Sequence, residues 1–480
     1  MRTALSLSRL LALQERKTIF KAAEEFVLES RLTTSKNNRA RLTEGPVGST
    51  LFRLVVPMIW GVMAVMSQSI VDAYFVGQLG TEELAAIAYI LPIAFFVTSM
   101  TLGVTVGTSA VLARQIGAEN WGQVRRTVSH AILLGLSLIL ALLILGVLSV
   151  DQILALQDVP VSSWAMIKDY LGIWMWSMFP LVVAMITNGA MRAHGDSLAS
   201  SSILITAALV NAVLDPILIF GFGDFEGWGL KGAAWASFGA NIAAMALALR
   251  YLLFRDQLID WSVPAWSELQ ANWSAVLVIG VPSALANMVT PASRALLNRI
   301  ITEFGAPAVA GFGVVFQLEM LSLIVPLALS SIIGPFIGQN LGAGRIDRMR
   351  QAMKLVLGFS FIYGFVVLVI LGITAPWIAK QFVDEQQAIA VITGYLWAVP
   401  WSYGFYSVIM MTGAAFNSIG NPRPNFILYS VRLLAIYVPA AWVGAEFFGI
   451  WGIIGASALS NIIVGAMALY WCHVRFPRED

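Results

Sequence analysis

The sequence holds a single cysteine, Cys472, and three scattered histidines, His130, His194 and His473, among 480 residues. One thiol excludes an intrachain disulfide, and the histidines offer no metal-ligand spacing, so neither a metal nor another cofactor is expected. Charge is equally scarce. Asp, Glu, Lys and Arg together make up 12%, about half the share of a soluble domain. The net charge of +2 gives no basis for a nucleic-acid partner. Apolar residues are abundant instead, at 58%, with a mean hydropathy of +0.79. A soluble protein this apolar could not cover its own core, so the long hydrophobic runs read as bilayer crossings.

Residues 1–45 differ from the rest in being polar and basic. Arg9 interrupts the only early apolar run, which argues against a cleaved signal peptide. A surface-lying amphipathic helix over 10–28 competes with a disordered extension. Beyond this segment the hydropathy predicts an all-α polytopic membrane protein with twelve transmembrane helices, near 50–76, 83–110, 124–149, 164–187, 198–221, 229–254, 273–300, 308–336, 350–375, 388–412, 425–446 and 450–473. Arginines collect in alternate connections, among them Arg114, Arg125, Arg192, Arg250, Arg345 and Arg423. The positive-inside rule then places both termini in the cytoplasm.

A shift of about 225 residues superposes the chain on itself. Pro57 meets Pro282, Gly80 meets Gly305, and Ile116-Gly117-Ala118 meets Leu341-Gly342-Ala343. Six crossings per repeat is an even number, so both halves enter the membrane in the same direction. Two six-helix bundles related by a pseudo-two-fold along the membrane normal are expected, an N-lobe at 46–255 and a C-lobe at 273–475. A linker at 256–272 would join them, with a tail at 476–480.

Ionisable groups inside a crossing are functional candidates because their burial is costly. Asp72 in the first span and Asp215 in the fifth stand at similar depth in the outer half. Asn211, four residues before Asp215, shares its helix face. Ser237 in the sixth span reaches the same level. The repeat mates of Asp72, Asn211 and Asp215 are Leu297, Ile436 and Ala440, so intramembrane acids are expected in the first half alone. A carboxyl in an apolar cavity near a second one can load and release a proton. Sodium is the competing ion, since these groups are hard oxygen donors. Pro57 is a candidate hinge of the first span. Flexible thioethers such as Met66, Met178 and Met185 suit a promiscuous cavity, with Tyr74 and Asn188 as further lining candidates. Gly221-Phe222-Gly223-Asp224 spells the G-x-G-D pattern of intramembrane aspartyl proteases, although Asp224 falls in a connection. Arg294 and Arg299 either snorkel or line a cavity.

Four motifs in order, Ser69-Ile70-Val71-Asp72-Ala73-Tyr74-Phe75-Val76-Gly77-Gln78-Leu79-Gly80, Arg114-Gln115-Ile116-Gly117-Ala118, Met191-Arg192-Ala193-His194-Gly195-Asp196 and Asn211-Ala212-Val213-Leu214-Asp215-Pro216, make the chain resemble the multidrug and toxic compound extrusion (MATE) family from about 43 to 475. The resemblance implies a two-lobed inner-membrane antiporter of a bacterial cell. It would export lipophilic or cationic small molecules for H⁺ or Na⁺, work as a monomer, and need no partner beyond substrate and lipid. The finer similarity is to the DinF-like branch, in which Asp72, Asn211 and Asp215 would form the coupling site. Ser237 stands where a threonine is more usual. The NorM-like branch places acids at positions held here by Thr290 and Phe405.

Overall fold

The computed structural model describes residues 42–477. The amphipathic helix considered for 10–28, most of the basic extension and the end of the tail lie outside them. Among the described residues the chain is helical apart from its connections and one isolated bridge, Phe222 to Phe225. In hydrocarbon each backbone N–H and C=O must be paired within its own segment, which is why the apolar runs become helices.

The N-lobe comprises α1 (Val47–Leu79), α2 (Thr81–Gly117), α3 (Trp121–Leu156), α4 (Trp164–His194), α5 (Ser197–Phe220) and α6 (Leu230–Arg250). The C-lobe comprises α7 (Trp266–Thr302), α8 (Ala306–Ser322 and Ile324–Gly342), α9 (Ile346–Phe382), α10 (Gln386–Ala398 and Tyr403–Ser418), α11 (Arg423–Ser430 and Val438–Phe448, joined by a π-helical stretch Val431–Tyr437) and α12 (Ile450–Arg475). Eleven of these crossings contain a helix long and apolar enough to span a bilayer. The twelfth, α10, is divided at Pro400, whose ring cannot continue the helix. Pro57, by contrast, leaves α1 helical throughout.

One boundary differs from the sequence expectation. α7 begins at Trp266, so the end of the linker is helix. The rest is strapped to α3. Ser129 Oγ donates to the Asp260 carbonyl and accepts from the Asp260 N–H, and Arg126 pairs with Asp260 and Glu268 at 3.4 and 2.8 Å. The Ser262 N–H and then Arg126 hold the Asp260 carboxyl below its ordinary range. A carboxylate locked this way fixes where α7 leaves the N-lobe.

The lobes meet along small residues. Gly103 faces Gly280, Gly107 faces the Val276 carbonyl, Gly117 faces the Gln339 carbonyl and Gly342 faces that of Arg114. All of these lie toward one face of the bundle, where Leu42 and Phe476 share a cluster with Phe336 and Met349. The described chain therefore starts and ends on the face where the lobes are sealed. Arg348 clamps that start. Its guanidinium donates to Asn340 Oδ1 (3.0 Å) and to the carbonyls of Gly45 (2.6 Å), Leu42 (3.2 Å) and Glu44 (3.1 Å). Removing charge-assisted donors strands buried carbonyls, so Arg348→Ala should cost about 2–4 kcal/mol. Thermal unfolding of the detergent-purified protein measures it, and an unchanged midpoint would show that the clamp is idle.

Candidate functional site

α1 and α5 run in parallel and touch along their lengths. Near one end, the hydroxyls of Ser200 and Ser201 both donate to Met58 Sδ at 3.4 Å. Gly61 lies against Ser201 and Leu204, where a Cβ would come within 3.2–3.3 Å of both and make a tight approach. Near the other end, Phe75 meets Phe220 edge to face, with ring centroids 6.0 Å apart. Met58 and Ser201 are 143 positions apart. The same offset, carried up two helices of equal rise, sets Asp72 opposite Asp215.

The two carboxyl groups stand within hydrogen-bonding reach of each other. Asp215 is 1% exposed and Asn211 fully buried, while Asp72 is half-buried. Asn211 Nδ2 donates to Asp215 Oδ1 at 3.4 Å. Three buried oxygens then remain without a donor: Asp72 Oδ1, Asp215 Oδ2 and Asn211 Oδ1. A stranded buried acceptor is costly, and two facing carboxylates repel. A proton on one carboxyl converts it into a donor for the other and removes one charge. A small cation among the three oxygens would relieve the same deficit. This arrangement can exchange one positive charge for another.

Tyr170 on α4 is close enough for its phenol to feel the charge of both acids. Counting alone could have found it, since it lies six residues past Trp164, about 9 Å down a helix that starts on the far side of the membrane from the chain ends. In the sequence alone, a lone tyrosine in an aromatic-rich span carries no distinguishing signal.

Other candidates lie elsewhere. Ser237 is half-buried on α6 and makes no side-chain hydrogen bond to either acid. Met66 and Met185 are half-buried, and Tyr74 is 64% exposed. Two cavity candidates are committed to packing instead. Met178 is buried in the N-lobe core. Asn188 is buried too, donating to the Ser200 carbonyl at 2.7 Å and accepting from Arg192. Asp224 sits in the tight connection between α5 and α6, beside the Phe222–Phe225 bridge. The expectation that intramembrane acids occur only in the first half is wrong. Glu319 lies within α8 and lines a cavity in the C-lobe. One charge in so long an apolar run barely lowers the hydropathy, and the duplicate position, Ala94, gives no warning of it.

The MatE family model matches the chain twice, over residues 57–217 and 282–443. The two matches reproduce the internal repeat. A protein of Shewanella oneidensis named FAD transporter is 31% identical over 90% of this chain and 96% of its own length. A Bacillus subtilis protein named probable multidrug resistance protein YoeA is 23% identical, covering 85% and 91%. Among solved structures, the Vibrio cholerae MATE transporter VcmN in its bent form superposes with a TM-score of 0.83 at 27% identity, over 88% of this chain and 95% of that one.

Proposed function

The chain belongs to the multidrug and toxic compound extrusion family of multi-pass membrane transporters, and we propose that it is a DinF-like antiporter of the bacterial inner membrane, with both termini cytoplasmic, that exports small molecules in exchange for protons carried by Asp72 and Asp215. The observation that carries this reading is the trio of donorless oxygens on Asp72, Asp215 and Asn211. One proton shared by the pair satisfies the two carboxyl oxygens and lets the outer half of α1 pack against α5. Its loss restores two facing charges, which push α1 away or draw in a cationic substrate. Pro57 contributes at the base of α1. Without its N–H the carbonyl of Arg53 has no helical partner, so bending costs least there.

Efflux of ethidium from proteoliposomes, driven first by a proton gradient and then by a sodium gradient, tests the coupling. Transport under the proton gradient alone is expected. Transport driven by sodium alone would transfer the same oxygens to a sodium site.

A second reading concerns the cargo. The Shewanella relative is named for FAD, whose pyrophosphate is anionic, and the C-lobe carries guanidinium groups that the N-lobe lacks at the matching positions. FAD loaded inside the same proteoliposomes should then leave faster than ethidium. The reverse order favours a cationic cargo.

A further inference from the structure

The C-lobe cavity is built from backbone irregularities that the N-lobe does not share. α8 breaks at Leu323 where its duplicate α2 is continuous, and α11 contains the π-helical stretch Val431–Tyr437. Irregular backbone at membrane depth persists where it lines a cavity and its polar groups are paired. At the α8 break, Tyr363 on α9 donates to the Ser322 carbonyl at 2.7 Å. π-Helical insertions recur at functional sites because they re-aim side chains. This one aims Arg432, Leu433 and Tyr437 at a space of about 160 Å³, which Arg294 and Glu319 also line.

Arg432 is 6% exposed. A relay holds it: Nη1 donates to Asn461 Oδ1 at 2.7 Å, Asn461 Nδ2 donates to Ser402 Oγ at 2.8 Å, and Ser402 donates to the Val399 carbonyl at 2.7 Å. The guanidinium also lies over the Tyr406 ring, 3.9 Å from its centroid. Every partner in this set is neutral. The Arg432 Nε has no hydrogen-bond partner, and the Tyr437 hydroxyl stands next to Ser457 without a bond within 3.5 Å. Arg294 rests over Phe316 at 5.1 Å. No ion pair links Arg294, Glu319 or Arg432 among the described residues, and Glu319 instead accepts from the Tyr395 hydroxyl at 3.3 Å. Two guanidinium groups against one carboxylate leave the space net positive. A buried arginine held only by neutral groups, with a donor to spare, has an unmet demand for an anion.

The duplication sharpens this. The positions matching Arg294, Glu319 and Arg432 in the N-lobe are Ser69, Ala94 and Ala207, while the N-lobe acids match Leu297, Ile436 and Ala440. The charged groups of the two lobes therefore occupy different repeat positions, and each set is matched by uncharged residues in the other lobe.

We propose that the C-lobe cavity is the recognition site for an anionic group of the cargo, a phosphate or carboxylate bound between Arg432 and Arg294, with the Tyr437 hydroxyl as a further donor. The cavity is too small for a polycyclic compound and suited to its charged end. The site rests on the transporter reading for the route of its cargo but not on the identity of the coupling ion.

Fluorescein and rhodamine 123 share a xanthene ring system and differ in charge, so their relative affinity isolates the anionic contact. Equilibrium binding to the full-length protein in detergent, read by fluorescence anisotropy without any ion gradient, keeps the result independent of proton coupling. Arg432→Gln and Arg294→Gln should each lower fluorescein affinity relative to rhodamine 123 by at least about tenfold, and Arg432→Lys should lower it less. Glu319→Gln removes a repulsive charge and should strengthen fluorescein binding, a gain that misfolding cannot produce. Absence of fluorescein binding to the wild type, an unchanged ratio in both arginine variants, or weaker fluorescein binding in Glu319→Gln would each overturn the proposal.

Discussion

Asp215→Asn is expected to abolish proton-driven efflux while leaving the protein folded. The amide fills the same volume and its oxygen still accepts from Asn211 Nδ2. It also removes a buried charge, whose presence is costly. Stability should therefore hold or rise slightly. What the variant cannot do is take up and give back a proton, so efflux under a proton gradient should fall to the rate of protein-free liposomes. Asp72→Asn should act in the same direction, because the pair titrates as a unit. Wild-type rates in either variant, with normal expression, would mean that the proton travels by another route.

Gly117→Val should be nearly as damaging for a different reason. Gly117 closes the seam between the lobes, and a Cβ there would overlap the carbonyl oxygen, carbonyl carbon and Cα of Gln339. Backbone cannot swing aside as a side chain does, so the overlap opposes the sealed arrangement itself. Overpacking costs about 1–3 kcal/mol, which shifts the balance between sealed and open forms by about fivefold to 150-fold. In a Cys472→Ser background, a cysteine introduced at the fully buried Ala113, which faces Gly338 across the seam, reports that balance. A membrane-impermeant maleimide should label it at least about fivefold faster when Gly117 is valine, and efflux should slow by a similar factor. Equal labelling rates would show that the glycine contact does not govern closure.

Much of this architecture was legible in the chain itself. Twelve crossings follow from hydropathy because a bilayer permits little besides helices of the required length. The repeat follows from glycines and prolines, whose backbone roles survive duplication. Asp72, Asn211 and Asp215 stood out because a shift of about 225 residues set them against Leu297, Ile436 and Ala440. Their meeting was legible only as equal depth. The lateral contact depends on Gly61 and the Met58–Ser201 register, which no periodicity reveals. The C-lobe was less readable. The break at Leu323 has no proline at the breaking residue, the π-helical stretch at Val431–Tyr437 has no composition signature, and Glu319 and Arg432 are single charges in apolar runs. At Met178 and Asn188 residue type and packing point different ways. Residue type suggested a cavity, whereas burial places one in the core and spends the other on Ser200 and Arg192.

The central claim is that Asp72 and Asp215 exchange a proton against substrate, and the most direct measurement is proton release on substrate binding. Purified protein in weakly buffered detergent solution with a pH-sensitive dye, mixed with a saturating substrate such as ethidium, should release protons in a fixed ratio to bound substrate. That release should vanish in the Asp72→Asn, Asp215→Asn double variant. Undiminished release from the double variant, with substrate still bound, would contradict the account.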